Sequence, residues 1–478
     1  MKKSNLILLL MGFAVAIILQ LRPIADFDIF WQIKIGQLML EQGALITRDP
    51  FTYTHSGELI PVLGWIAQLV FAGAYKVCSW RGVQWVHAGL MAAAYAIAGW
   101  SAIQSRMRIF SVVCAVVIGF LVGYSNSNVR PQSFALCCFA LMLFLVCSDM
   151  KVGLRIFALV PVLLIWQNSH PSVSLGFLLL SVMAVVGWVR FHLDMSKDKP
   201  WGITAACLIG LAAQFVSPIG FDIIPVAKAN ADIARSLRVN EWLPAWHPGV
   251  VASMIFFWLA LAFFLPIFLK RRKELKVDQI IIFLVMTALT IASARFALFW
   301  GVAMIPIFAR LIDSEIPDRL FRWPGNSTCS RPLSASVVLG AFCVAIATPM
   351  VCGQPVFADR IPVEGIAWLK TVLPAGRIYN TREYGGPLIL NGRPEWKIAI
   401  DGRLYMYGKD EWKRYAEEST GKLPLESIVK EARPDAFFLQ IGPHQPLIDL
   451  LRKASNWREV YSDAKCVIFL PIDWREAK

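Results

Sequence analysis

Charge is what this chain has least of. Only 17% of its 478 residues are Asp, Glu, Lys or Arg, against roughly 25% in an ordinary soluble domain. That scarcity excludes a disordered chain, which needs high charge and few apolar residues. It also excludes a basic nucleic-acid-binding domain, despite a formal net charge of +14. Paired cysteine motifs are missing too. Ten cysteines are present, at 78, 114, 137, 138, 147, 207, 328, 343, 352 and 466, but none forms a C-x-x-C pair and most lie inside apolar runs. They read as small buried hydrophobes, not as a disulfide scaffold. The topology below places Cys352 and Cys466 in one extracytoplasmic region, where a disulfide between them could form. Internal repeats and low-complexity stretches are absent, which excludes a solenoid. What is present is apolar. Hydrophobic residues make up 57% of the chain, and mean hydropathy is +0.55. Most of the chain takes lipid as its solvent, and an enzyme can live there.

A membrane-spanning helix needs about 20 apolar residues. Clear candidates are 5–21, 83–103, 109–125, 132–147, 172–189, 249–269, 296–309 and 333–351, with shorter ones at 152–166, 201–216 and 279–293, eleven in all. The opening stretch resembles a signal peptide but lacks a small-x-small cleavage site, so it reads as a retained first helix. Segment 63–80 is apolar enough to span, yet charge parity places it on the membrane surface. With 63–80 outside the count and the N-terminus in the cytoplasm, the inside loops collect Lys2, Lys3, Arg106, Arg108, Lys151, Arg155 and the Lys270–Lys276 run. The outside loops carry fewer Lys and Arg over a longer stretch. This is the asymmetry the positive-inside rule demands; making 63–80 a span reverses it.

From about 355 the texture changes. GRIYN, PLIL, WKIAI, DAFFL and KCVIFLP read as strands, and VEGIAWLKTVL, LESIVKEA and PLIDLLRKA as helices. The expected architecture is a polytopic α-helical membrane protein. Residues 1–354 form the helical part, with a first outer loop at 22–82 that carries surface helices. Residues 355–478 form an extracytoplasmic α/β domain. The expected location is a bacterial inner membrane.

The unusual polar residues fall on one side of this topology. Asp26 and Asp28 follow the first helix. Two carboxylates so spaced can share a divalent cation, or one can act as a general base; a solvated turn is the bland alternative. Later outer loops contribute Arg130, then Asn168 and His170, then Glu241 and Trp242, and finally Arg295. Arg295 lies at membrane depth, which marks either a functional site or an arginine snorkelling to the surface. His170 alone reads more simply as a hydrogen-bonded structural histidine. Acidic groups beside arginines suit a phosphate-bearing donor, because Arg grips phosphate bidentately and a carboxylate accepts a proton from a hydroxyl. The spans themselves are almost wholly apolar, apart from Gln104 and Gln214 near helix ends. That favours one-sided chemistry over a transport or assembly factor for lipid-linked glycans, the alternative reading. In the outer domain, Asp401 and Arg403 of an IDGR turn read as a local salt bridge within a binding or positioning module.

The order of DFDIFWQIKIGQ, RDPFTYT, NVRPQ, WQNSHPSVSLG, SPIGFD, NEWLP, ARF, IYNTREYGGPLIL and IDGRLYMYG resembles the C-type membrane glycosyltransferases. These include the protein O-mannosyltransferases, the lipid A aminoarabinose transferases and oligosaccharyltransferase. The resemblance implies a polyprenyl-phosphate-linked sugar as donor and a glycan, lipid or protein as acceptor, with no nucleic acid. A first-loop carboxylate, Asp26 or Asp28, would act as base or metal ligand. Asp28 is the favoured catalytic residue, expected as the N-cap of the helix that follows it. Arg130, Asn168, His170, Glu241, Trp242 and Arg295 are the expected substrate-binding set, with Trp31 and Trp65 as further platforms. A divalent cation is an open question. One departure is Gln32, where the resemblance leads one to expect a histidine after the tryptophan.

Overall fold

The computed structural model describes Val15, Ile18, Leu19, residues 22–316 and residues 355–474. The expected spans at 5–21 and 333–351 otherwise lie outside the described residues, as does Cys352; Cys466 is a buried thiol. The helices up to residue 316 are α1 (Asp28–Gln42), α2 (Trp65–Gln104), α3 (Ile109–Tyr124), α4 (Gln132–Cys147), α5 (Val152–Ser169), α6 (Val173–His192), α7 (Trp201–Ala213), α8 (Ile223–Ser236), α9 (Ile255–Arg271), α10 (Val277–Ala292) and α11 (Ala297–Glu315). Among the described residues, α2, α5, α6 and α11 with its preceding turn are long and apolar enough to cross a membrane. Helices α3, α4, α7 and α10 are shorter and apolar.

Helix α2 breaks at Cys78 (φ −131°, ψ 23°) and Ser79 (φ 51°, ψ −147°). The break falls where segment 63–80 was expected to part from the span at 83–103. Helix α8 was not expected, since its stretch read as part of an outer loop. Lys228, Asn230, Asp232 and Arg235 dilute its apolar signal.

The chain packs as two compact units. The first comprises residues 1–22, 84–223 and 235–354; the second comprises 23–83, 224–234 and 355–478. The first unit is a helical core centred on α11, whose apolar residues face all round and are almost all buried. Helices α3 and α11 cross where two glycines meet. A Cβ on Gly119 would lie 2.4 Å from the Gly301 carbonyl, and one on Gly301 would lie 2.3 Å from the Gly119 carbonyl. Small residues permit such close backbone contact without a hydrophobic drive between helices. At one end of this unit ion pairs join the helices: Arg108 to Asp313 at 2.8 Å, and Lys270 and Arg271 to Glu315 at 2.9 and 2.8 Å.

The second unit contains a five-stranded sheet in the order β2-β1-β3-β5-β4. The strands are β1 (Gly376–Asn380), β2 (Trp396–Ile398), β3 (Ala436–Gln440), β4 (Trp457–Ser462) and β5 (Cys466–Pro471). Strands β2, β1 and β3 run parallel, and β5 is antiparallel to both β3 and β4. Its helices are α12 (Val363–Val372), α13 (Gly385–Asn391), α14 (Lys409–Ser419), α15 (Leu425–Ala432) and α16 (Gln445–Lys453). PLIL, expected as a strand, belongs to α13. Pro387 sits in its first turn, where a missing N–H costs nothing. Strand β4 and helix α14 were not expected, because WREVYS and KDEWKRYAEES are too polar to announce a buried face.

The first loop pairs with the C-terminal part of this unit at two places. The Ile24 N–H donates to the Val356 carbonyl at 2.8 Å, and Ala358 returns a bond to Ile24 at 2.9 Å. Thr52 pairs parallel with Ile398 of β2, flanked by bonds from Ile398 to Phe51 and from Tyr53 to Ile398. Residues 51–53 thus cover the sheet's edge, whose unpaired amides are otherwise a liability.

Candidate functional site

In the helical unit, the expected polar residues gather at the end opposite the ion pairs. Arg130 precedes α4, His170 ends α5, Glu241 and Trp242 lie in a 3₁₀ turn (Asn240–Trp242), and Arg295 lies in the turn opening α11. Backbone bonds hold these turns together. Ala294 N–H donates to Leu243 at 3.0 Å, Ala245 donates to Ile291 at 3.0 Å, and Ser293 Oγ donates to the Glu241 carbonyl at 3.1 Å. Asn126 Nδ2 adds a bond to the Ala294 carbonyl at 2.9 Å.

Arg130 Nη1 donates to Glu241 Oε2 at 2.7 Å, with the two side chains 27% and 28% exposed. The Arg295 guanidinium stacks over the Trp242 ring, 4.0 Å from its centroid. Burial by itself would raise the Glu241 carboxyl, but the charges of Arg130 and Arg295 hold it below its ordinary value. His170 is pulled down to about 3, mainly by burial and then by Arg295, so its ring is neutral. Its Nδ1 lies 2.9 Å from Ser172 Oγ. The cluster therefore combines two guanidiniums with one carboxylate. Asn168 has a different use, with its Nδ2 donating to the carbonyls of Leu164 and Val216 at 2.9 and 2.8 Å. It ties the end of α5 to the turn after α7.

The carboxylates of the first loop lie in the second unit. Asp26 is buried, and its Oδ1 accepts the Asp28 N–H at 2.8 Å. Helix α1 begins at Asp28, so the carboxylate that satisfies its first amide belongs to Asp26. The expectation that Asp28 is the N-cap is corrected on this point. Asp28 stands in the first turn, half-buried, and its Oδ1 accepts the Trp31 indole N–H at 3.1 Å. Trp31 itself packs in a cluster with Ile35, Met39, Ile46, Phe51 and Ile60, with Trp65 partly buried against it. Gln32, where a histidine was expected, accepts a 2.8 Å bond from Gln68 Nε2 and so helps join α1 to the first half of α2.

The IDGR turn meets this carboxylate. A Cβ on Gly402 would lie 1.8 Å from Asp28 Oδ1. Beside it Arg403 is fully buried and grips Asp401, with Nε–Oδ1 2.9 Å and Nη2–Oδ2 2.5 Å. Its Nη1 also lies 2.9 Å from Asp49 Oδ1, close in charge although off the line of a hydrogen bond. Asp49 in turn accepts the Thr52 N–H at 3.0 Å and the Thr52 hydroxyl at 2.5 Å. The sequence reading passed over Asp49, yet the Asp-Pro step in RDPFTYT is a turn signal that could have found it. Tyr405 lies within reach of the charges of Arg403, Asp401, Asp28 and Asp49, and burial raises its phenol, which keeps its proton. Among the described residues no three His, Cys, Asp or Glu side chains come together in a group that could hold a metal ion.

No family model matches this chain, and no curated protein matches it. Solved structures do resemble it. ArnT from Cupriavidus metallidurans superposes with a TM-score of 0.55 at 12% identity, covering 96% of this chain and 97% of that one. The apo oligosaccharyltransferase of Archaeoglobus fulgidus gives 0.58 at 12% identity, over 99% of this chain and 75% of its own. The same enzyme, AglB, in complex with an inhibitory peptide and a dolichol-phosphate, gives 0.55 at 13% identity over 99% and 75%. The chain has the fold of the C-type membrane glycosyltransferases, as its motifs led one to expect.

Proposed function

We propose that this chain is an integral membrane glycosyltransferase that moves a sugar from a polyprenyl-phosphate-linked donor to an acceptor hydroxyl on the outer face of the membrane. The observation that carries this reading is the Arg130–Glu241–Arg295 cluster with its neutral His170, set at one end of an apolar helical unit. Two guanidiniums beside one carboxylate suit a phosphate, because guanidinium geometry matches phosphate oxygens. The dolichol-phosphate in the AglB complex supports a donor of that class. Asp28, half-buried with Oδ1 accepting the Trp31 N–H, is the carboxylate assigned to take the acceptor proton, and Asp26 accepts a backbone N–H. Trp242, under the Arg295 guanidinium, holds that arginine in place.

Binding of undecaprenyl phosphate to the purified full chain tests the first half of this reading. Losing a hydrogen bond to a charged group costs about 1.5–3 kcal/mol, so Arg295→Ala lowers affinity by about 10- to 100-fold. An Arg130→Ala/Arg295→Ala double variant that binds the lipid as tightly as the parent would refute a phosphate site there.

A further inference from the structure

The second unit holds three fully or almost fully buried charges, Arg403, Asp401 and Asp49, which the proposed reaction does not use directly. A buried ion pair adds little net stability over an apolar filling of the same volume. Its contribution here is geometric. Arg403 takes Asp401 in a two-toothed grip across a single residue, Gly402, and reaches Asp49 of the first loop. The strand exit leading into the turn is fixed as well. Asn380, fully buried, accepts the Ala399 N–H at 2.9 Å and donates to the Ile400 carbonyl at 2.8 Å. The Tyr407 hydroxyl accepts the Asp401 N–H at 3.0 Å. Every residue around Gly402 is therefore tied down, and the face presented at Gly402 abuts the Asp28 carboxylate.

Gly402 does not adopt a positive φ, so no backbone conformation demands glycine there. Space does. The atom that any other residue would place at 402 falls 1.8 Å from Asp28 Oδ1, 2.9 Å from its Cγ and 3.4 Å from Oδ2. The same Oδ1 accepts the Trp31 indole N–H from the other direction in sequence. We infer that the Asp401–Gly402–Arg403 turn is a positioning element for the Asp28 carboxylate, and that Gly402 is glycine because a side chain there would take the carboxylate's place. This rests on the reading of Asp28 as the catalytic carboxylate. It adds that the C-terminal part of the chain sets where that carboxylate points, through a turn more than 370 residues away in sequence.

Two measurements on the full chain test it. The first reads the contact without any activity. Gly402→Ala lowers the melting temperature in the parent and has little effect in an Asp28→Ala background, because the clash needs the carboxylate. Equal shifts in both backgrounds would overturn the contact. The second reads the role in cells deleted for the gene and carrying each variant, with surface glycans measured by mass spectrometry. A displacement of about 1 Å at a reacting group can cost about 100-fold in rate. Gly402→Ala therefore cuts product by about that factor, while undecaprenyl phosphate affinity stays within about threefold, a difference under 1 kcal/mol. Arg403→Lys keeps the charge but loses the fork. It reproduces the same split, product lost and lipid binding kept, if the Gly402→Ala chain does not fold. Wild-type product from folded Gly402→Ala or Arg403→Lys, with Asp28→Asn inactive, overturns the inference and leaves the reaction standing. Normal product from Asp28→Asn overturns the reaction's catalytic assignment, and the inference with it.

Discussion

Two aspartates two residues apart have separate duties in this protein. The side chain of Asp26 is turned to the backbone, where it satisfies the first amide of α1, and that of Asp28 is held between an indole N–H and a glycine. The division is testable by substitutions that separate capping from charge. Asn caps about as well as Asp, and losing a cap costs about 1 kcal/mol. Asp26→Asn therefore leaves thermal stability close to the parent, and Asp26→Ala lowers it by about that amount. Asp28→Asn keeps an oxygen for Trp31 and folds normally, yet under the proposed reaction it cuts turnover by at least about 100-fold, the low end for a general acid–base group. Melting curves and glycan profiles of the three variants decide the matter. A stable, fully active Asp28→Asn chain would pass the role to another carboxylate.

At the level of elements, the first loop is held to the sheet's edge by more than strand pairing. His55 follows the 51–53 segment that pairs with β2, and its ring bridges Glu58 through Nδ1 and Glu411 of α14 through Nε2, both at 2.8 Å. Burial lowers the His55 pKa, but the two carboxylates outweigh it and the net direction is upward. The sign follows from linkage. A histidine whose folded value is raised contributes stability that is fully present below its unfolded value, about 6.5, and is lost as pH rises through the folded value. Both carboxylates are substantially exposed, so the contribution is small, at most about 1 kcal/mol. Between pH 6 and pH 8.5 the parent should lose slightly more thermal stability than His55→Gln, in which this part of the pH dependence disappears. Identical pH slopes for the two proteins would show that the bridge carries nothing.

For the molecule as a whole, four of the described helices are long and apolar enough to cross a membrane, and charge supplies an orientation to propose. The ion-paired end of the helical unit holds Arg108, Lys270 and Arg271, residues of the loops expected inside. The opposite end holds the Arg130–Glu241 pair. By the positive-inside rule we propose a cytoplasmic N-terminus and an extracytoplasmic C-terminus. Alkaline phosphatase fused at the C-terminus should be active, and a fluorescent protein that matures only in the cytoplasm should stay dark there. The reverse pair of results would invert the topology and place Arg130 and Glu241 on the cytoplasmic side.

Composition and periodicity by themselves determined the long apolar helices, and they put Arg130, His170, Glu241, Trp242 and Arg295 in loops of one expected side. These depend on local apolar length and on Lys/Arg bias, both one-dimensional quantities. GRIYN and the core of DAFFL were legible as strands for the same reason, since their apolar runs are buried on both faces. Polar segments such as α14 and β4 were not, because their stability comes from contacts the local pattern does not encode. Only the folded structure decided that Asp26 accepts the Asp28 amide, that Asn168 serves the scaffold, and that Gly402 lies against Asp28. Each of those facts is a distance between groups, and a hydrogen bond or a steric contact depends on ångströms that spacing along a chain does not specify. The pairing of Thr52 with Ile398 and the reach of Arg403 to Asp49 are of the same kind. They join segments some 350 residues apart, where loop length costs only logarithmically and imposes no partner.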